Sequence, residues 1–148
     1  MRQYNKSIIQ LLKAYSNMLD GKGNQSMLLI YSNDKEALAK LGDALKESNN
    51  ESFAVTRNEI AIMLVEAVRD KKDQKMIKKC KTEPILIICD FEVIAGKEHS
   101  QKIIYEILRH RYGKSHKTII LSSWDVFAFD TFSERIKVLL ESADKYNV

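Results

Sequence analysis

A chain of 148 residues is long enough for one domain with a real core, and 45% apolar with 30% charged residues is an ordinary globular composition. No apolar run approaches the roughly 20 residues that cross a bilayer, and the charged start MRQYNKS leads into no secretion signal, so a cytosolic protein with no membrane partner is expected. The net charge of +4 permits nucleic-acid contact without requiring it, while Cys80, Cys89 and three histidines in no ligand spacing give neither a disulfide framework nor a metal site.

In chain order, Ile8, Leu11, Leu12, Tyr15, Met18 and Leu19 recur with the period of one helix face, and Gly21 and Gly23 end it. MLLIY at 27–31 is a continuous apolar run, as expected of a strand covered on both faces. Ser32, Asn33 and Asp34 form a turn with a capping residue, and Ala37, Leu38, Leu41 and Leu45 continue as a helix. After a loop at 48–50, residues 53–56 read as a second strand. Thr56 and Glu59 stand at capping-box spacing, opening a helix with Ile60, Met63, Leu64, Ala67 and Val68 on one side.

Residues 69–81, RDKKDQKMIKKCK, are strongly basic and weakly periodic. Pro84, the sole proline, stands where it starts a strand without removing a ladder bond, and the apolar strand 85–89 follows. A helix over 98–112 turns Ile103, Ile104, Ile107 and Leu108 inward and stops at Gly113. Residues 118–121 (TIIL) form a fourth strand, and Phe132, Ile136, Leu139 and Leu140 mark a last helix. One helix followed by four strand–helix pairs predicts a three-layer α/β/α domain with a mainly parallel sheet. No repeat or linker divides the chain, so residues 1–148 read as a single domain; whether a fifth strand follows residue 136 is left open.

The stretch Ile87-Ile88-Cys89-Asp90-Phe91-Glu92-Val93-Ile94-Ala95-Gly96-Lys97-Glu98, with Ser100-Gln101, resembles the second nucleotide motif of the bacterial replication initiator DnaA. In that family two adjacent acids end the strand, and a hydrophobic-Ala-Gly-Lys-Glu segment opens the next helix. Residues 119–123 (IILSS) are similar to the strand carrying the family's first sensor. Residues 55–59 (VTRNE) with 64–69 (LVEAVR) resemble its helical insertion, and 131–136 (TFSERI) resemble the helix before its arginine finger. The match covers most of residues 5–140 in order. It implies an AAA+ core of the P-loop NTPase type, with the chain ending before the family's helical lid and duplex-DNA-binding domain.

The chemistry departs from that pattern. A phosphate-binding loop uses a glycine-rich bend whose amides surround the phosphates, then Lys and Ser/Thr. Here the first strand runs into Tyr31-Ser32-Asn33-Asp34-Lys35-Glu36, with no glycine, about three residues fewer than the resemblance requires, and two acids where phosphate sits. Lys35 falls near the loop lysine. Cys89 replaces the acid that holds magnesium, and a thiol is a poor ligand for a hard ion. Asp90 matches the water-activating acid. Ser123 ends the sensor strand, with Trp124 at the family's polar position, and Lys137-Val138-Leu139-Leu140 supplies no arginine finger. Lys35, Cys89, Asp90 and Ser123 are therefore expected to be a vestigial nucleotide site, with ATPase activity lost and no cofactor.

Two contact functions remain. The first is a protein-interaction or regulatory module whose partner is a replication protein (initiator, helicase or helicase loader), self-association included. The second is single-stranded DNA binding, through Arg57, Arg69, Lys71, Lys72, Lys75, Lys78, Lys79 and Lys81 around the insertion, and through Arg109, Arg111, Lys114 and Lys117, with Tyr112 as a stacking aromatic. A third, enzymatic reading rests on Asp90, Glu92, His99 and Ser122 near strand ends, without a supporting motif.

Overall fold

The computed structural model describes residues 8–20, 26–49, 51–112, 114, 116–128 and 130–148. Gly21, Gly23 and Gly113, read as helix stops, and the side chains of Ile8 and Leu12 lie outside the described residues.

Five strands, β1 (Met27–Tyr31), β2 (Ser52–Val55), β3 (Ile85–Ile88), β4 (Lys117–Ser122) and β5 (Asp144–Asn147), form one sheet of order β2-β3-β4-β1-β5. Every pair is parallel, so each crossover needs a connecting segment that lies on a face of the sheet. The helices are α1 (Ile8–Leu19), α2 (Lys35–Ser48), α3 (Arg57–Glu66), α4 (Lys75–Thr82), α5 (Glu98–Tyr112) and α6 (Glu134–Glu141).

Strand alternation divides the core in two. Leu28, Ile30, Ile85, Ile87, Ile119 and Leu121 pack under Leu11, Tyr15 and Met18 of α1 and Leu38, Leu41 and Leu45 of α2. Met27, Leu29, Leu86, Ile88 and Ile120 point the other way, against residues of α3 to α6, including Met63, Ile77, Ile107 and Leu140. Each such buried side chain contributes about 1.5–3 kcal/mol relative to exposure. The three-layer α/β/α arrangement expected from the alternation of elements is the one observed.

The sheet also gains β5, which the pattern left open. Its sequence, Asp144-Lys145-Tyr146-Asn147, has only Tyr146 buried, consistent with an edge strand that pairs on one side with β1. The basic stretch resolves into a 3₁₀ turn at Lys71–Asp73 and then α4, which turns Ile77 and Cys80 inward. Thr56 caps α3 reciprocally with Glu59, as its spacing predicts, so β2 ends one residue earlier than expected.

The reading of the α3 face needs correction. Ile60 and Met63 are buried, but α3 ends at Glu66, leaving Leu64, Ala67 and Val68 outside the core, with Val68 88% exposed. The inward position taken from the helical period goes instead to Glu66, whose two carboxylate oxygens accept the amides of Met76 (2.8 Å) and Ile77 (2.9 Å) at the start of α4. A carboxylate on the first turn of a helix is favoured by orphan amides and by the dipole, which explains a buried acid beside apolar neighbours.

Candidate functional site

The carboxyl ends of β1, β3 and β4 meet at the edge where parallel sheets place their sites. After β1 the chain turns sharply into α2. Ser32 is buried, and its amide donates to the Ser122 carbonyl at 3.2 Å, extending the β1–β4 ladder by one bond. Ser32 Oγ accepts the Asp34 amide at 3.1 Å, and the Tyr31 hydroxyl donates to the Asn33 side chain. Asp34 then caps α2: its Oδ1 accepts the amides of Glu36 (3.0 Å) and Ala37 (3.1 Å).

That cap decides the chemistry of the turn. Phosphate binds a helix N-terminus through its free amides and the positive end of the dipole. Here Asp34, a side chain of the turn itself, already holds both, and any incoming anion meets its negative charge. Lys35 is exposed, and Glu36 faces along the helix to Lys40 at 3.5 Å. Below the turn, Gly42 lets α2 lie close to the sheet: a Cβ there would stand 3.1 Å from Leu121 Cδ1 and 3.7 Å from Cys89 Sγ.

Cys89 follows β3, with its amide on the Val55 carbonyl at 2.8 Å. Burial, and then the nearby charges of Asp90 and Asp43, push its thiol up to about 11, so at neutral pH it carries no charge to offer a cation. Asp90 is exposed in the left-handed region (φ 54°), and its side chain makes no helix-capping bond. Among the described residues no three or more metal-ligating side chains converge. The residues at this edge thus do not fit a magnesium–triphosphate: two of the first amides of α2 are held by Asp34, and a neutral thiol stands at the position of the metal-side acid.

Of the remaining candidates, Glu92 and Ser122 hold the local backbone together. Glu92, one of the enzymatic candidates, accepts the Ser123 amide on Oε1 at 2.9 Å, tying the segment after β3 to the end of β4. Ser123 Oγ is buried with no protein partner. Ser122 closes a local turn, donating to the Trp124 carbonyl at 2.7 Å and accepting the Trp124 amide at 3.2 Å. His99 is exposed on the first turn of α5, apart from these groups in the hydrogen-bond network. Near the expected finger, Lys137 sits within 3.6 Å of Asp130 and 3.8 Å of Glu134, and Arg135 lies over the Tyr105 ring.

Gln101, in the segment that follows Ala-Gly-Lys-Glu, has a role that no sequence signal indicates. Its Nε2 donates to the carbonyls of Ile94 (2.9 Å) and Thr131 (2.6 Å), and its Oε1 accepts the Ser133 amide at 2.8 Å, so one buried amide joins three segments.

The basic residues divide sharply. Arg57, Arg69, Lys71, Lys72, Lys75, Lys78, Lys79, Arg109 and Lys114 are exposed, and Lys81 and Lys117 are half-buried. Lys79 is partly committed, 4.3 Å above the Phe53 ring and 3.9 Å from Glu83. Arg111, expected on the nucleic-acid surface, is instead 1% exposed, and that expectation is corrected. Its guanidinium donates to the carbonyls of Cys80 (2.9 Å), Glu83 (2.7 Å) and Lys117 (2.6 Å) and to Thr118 Oγ1 (2.8 Å). Desolvation lowers its pKa to about 10, still charged at neutral pH. It fastens the end of α4 and the start of β4 to α5.

A groove of about 340 Å³ between α3, α4 and α5 is lined by Leu64, Val68, Ile77 and Ile103, with Lys81, His99 and Lys102 among its polar lining. Its apolar wall includes Leu64 and Val68, which the core leaves exposed. No helix among the described residues is long and apolar enough to cross a membrane.

Residues 28–143 match the family model for the bacterial DnaA ATPase domain. No curated protein gives a significant match. Among solved structures, the chain is similar to a replication initiator DnaA bound to AMPPCP and single-stranded DNA, with TM-score 0.73 and 17% identity over 100% of this chain and 47% of that one. It is similar to domain III of DnaA from Thermotoga maritima, with TM-score 0.67 and 17% identity over 92% and 60% of the two chains. It also matches the DnaC helicase loader, with TM-score 0.55 and 18% identity over 97% and 84%. The chain spans about half the length of the first DnaA chains it matches, at 44–47% of each. With the parallel sheet and the Ala-Gly-Lys-Glu segment in place, the chain belongs to the bacterial DnaA ATPase-domain family, with the AAA+ fold.

Proposed function

We propose that this domain works through contacts rather than ATP turnover, as a replication-associated interaction or regulatory module with a DnaA-like core. The observation that carries the reading is the Asp34 carboxylate on the first amides of α2, which fills the position a phosphate needs. The neutral Cys89 thiol and the absence of an arginine at 137–140 agree with it. The apolar framework, by contrast, is complete on both faces of the sheet. A domain that keeps its packing while its ligand positions are filled by its own side chains retains its surfaces as functional assets.

The partner class is a replication protein: an initiator, a helicase or a helicase loader. Support comes from the family and from the likeness to DnaA and the DnaC helicase loader. The test is binding to purified DnaA ATPase core, replicative helicase and helicase loader from the same host, with and without magnesium–ATP. Saturable binding to one of them, unchanged by nucleotide, is expected; binding that appears only with nucleotide contradicts the proposal.

A second reading is single-stranded DNA binding over the insertion. The exposed Arg57, Lys71, Lys72, Lys75 and Lys78, and the DNA-bound state of one structural neighbour, favour it. It predicts affinity for oligonucleotides that falls steeply with salt.

A further inference from the structure

At the opposite edge of the sheet, α4 ends at Thr82 just before β3, and α5 ends at Tyr112 just before β4. Both helix C-termini are rich in cations, and they border a cleft of about 360 Å³ lined by Lys81, Glu106, Arg109, His110 and Lys114. None of these is apolar, so the cleft offers no pocket to a hydrophobic anchor.

Three features separate this cleft from a scatter of solvated lysines. Arg111, itself buried, bonds the carbonyls of Cys80 and Glu83 at the end of α4 and of Lys117 at the start of β4, so the end of α4 is tied to the end of α5. Among the described residues neither Lys81, Arg109 nor Lys114 forms an ion pair, and the nearby Glu83 carboxylate is 3.9 Å from Lys79. Glu106 alone opposes three permanent cations. Finally, Tyr112 is 48% exposed at the end of α5, three residues beyond Arg109 in the chain and outside the residues that line the cleft.

We propose that this cleft is a binding site for the phosphate backbone of single-stranded nucleic acid, with Arg109, Lys114 and Lys81 on successive phosphates and Tyr112 stacking on a base. Cations along a groove with an adjacent aromatic are the two parts of a single-strand track, and every base offers a face to stack. A guanidinium also engages phosphate through two donors at once. Apart from Lys81, this site lies beyond the insertion, and it does not depend on whether nucleotide binding is lost.

The charge state of the cleft agrees. Facing His110 are Lys81 from α4, Glu106 and Arg111 from α5, and Lys114 and His116 from the segment before β4. Desolvation and then Lys114, Lys81 and Arg111 lower the pKa of His110; desolvation and then Arg111, His110 and Lys114 lower that of His116. A bound phosphate would relieve that repulsion, so binding takes up protons and tightens as the pH falls.

The test is fluorescence anisotropy with a labelled oligo-dT of about 15 nucleotides, long enough for one groove. Arg109→Ala with Lys114→Ala is expected to weaken binding about tenfold at low salt and to flatten the log–log salt slope by about 1.4, two phosphates' worth for a single strand. Tyr112→Ala is expected to weaken it severalfold without changing the slope. Wild-type affinity is expected to rise about threefold from pH 7.5 to 6, and His110→Gln to blunt the rise. Lys71→Ala with Lys72→Ala and Lys75→Ala is the comparison set for the insertion. The proposal is overturned if wild type does not bind at about 50 mM salt, if the Arg109/Lys114 pair behaves as wild type, or if polyglutamate competes as well as the oligonucleotide. Thermal melts of each variant confirm folding, and Arg111 is left intact because it is structural.

Discussion

Asp34 Oδ1 lies 3.1 Å from the amide nitrogen of Ala37, and the same oxygen takes the amide of Glu36, so the turn after β1 closes on its own side chain. The capping contribution can be separated from any ligand role. Asp34→Ala is expected to cost about 1 kcal/mol, as for other N-cap losses, with Asp34→Asn nearer neutral. Urea midpoints measure it, and neither variant is expected to acquire ATPase activity.

Arg111 is expected to be among the most sensitive positions in the chain. Removing a buried cation that satisfies three carbonyls and a hydroxyl strands their polar atoms, so Arg111→Ala should cost about 3 kcal/mol or more. Arg109→Ala, two residues away and exposed, should stay within about 0.5 kcal/mol. Equal effects in equilibrium unfolding would mean that Arg111 is not the pin described here.

The α3 face gives a third prediction. Val68→Lys and Val65→Lys change exposed side chains and should leave stability within about 0.5 kcal/mol. Met63→Ala on the same helix empties a core position and should cost about 2–5 kcal/mol. If a partner docks on the apolar groove, Val68→Lys, in its lining, loses it while melting like wild type, and Val65→Lys, outside the lining, keeps it.

Cys89 and Cys80 give a pH signature. Burial is the leading cause of both shifts, raising the thiols to about 11 and about 12 from 9.0. An acid whose folded pKa is raised stabilises the fold fully below its unfolded value and loses that contribution as pH rises through the folded one. Stability linked to these thiols is therefore present below pH 9.0 and falls between there and about 11 to 12. Alkylation of native protein by iodoacetamide at pH 8 should run about 100-fold slower at Cys89 than at a free cysteine, because two pKa units set the thiolate fraction. Rapid labelling at pH 8 would contradict the buried, neutral thiol.

Much of this architecture is legible because each local signal agreed with the next. MLLIY, ILII and TIIL are short apolar runs between turn residues, and they become the three inner strands. The Thr56–Glu59 spacing gave a cap at the right residue. The errors share one cause: periodicity reports a face, not what occupies it. Leu64 and Val68 lie on the period of the α3 face, yet the inward position belongs to Glu66, whose carboxylate serves α4 through a contact ten residues away in sequence. Arg111 likewise sits in a basic run and reads as surface, while its partners lie 28 and 31 residues back. At the candidate site, the resemblance identified which residues replace the nucleotide machinery. The turn residues 32–34 already promised a cap on α2, which Asp34 supplies, but nothing in the sequence says that Glu92 is spent on Ser123, since that depends on side-chain direction in the fold.

Isothermal titration of magnesium–ATP into the folded domain tests the central claim most directly. The self-capped turn predicts no saturable heat up to millimolar nucleotide, and the same silence for Asp34→Asn. A one-site isotherm with micromolar affinity, abolished by Lys35→Ala, would contradict it.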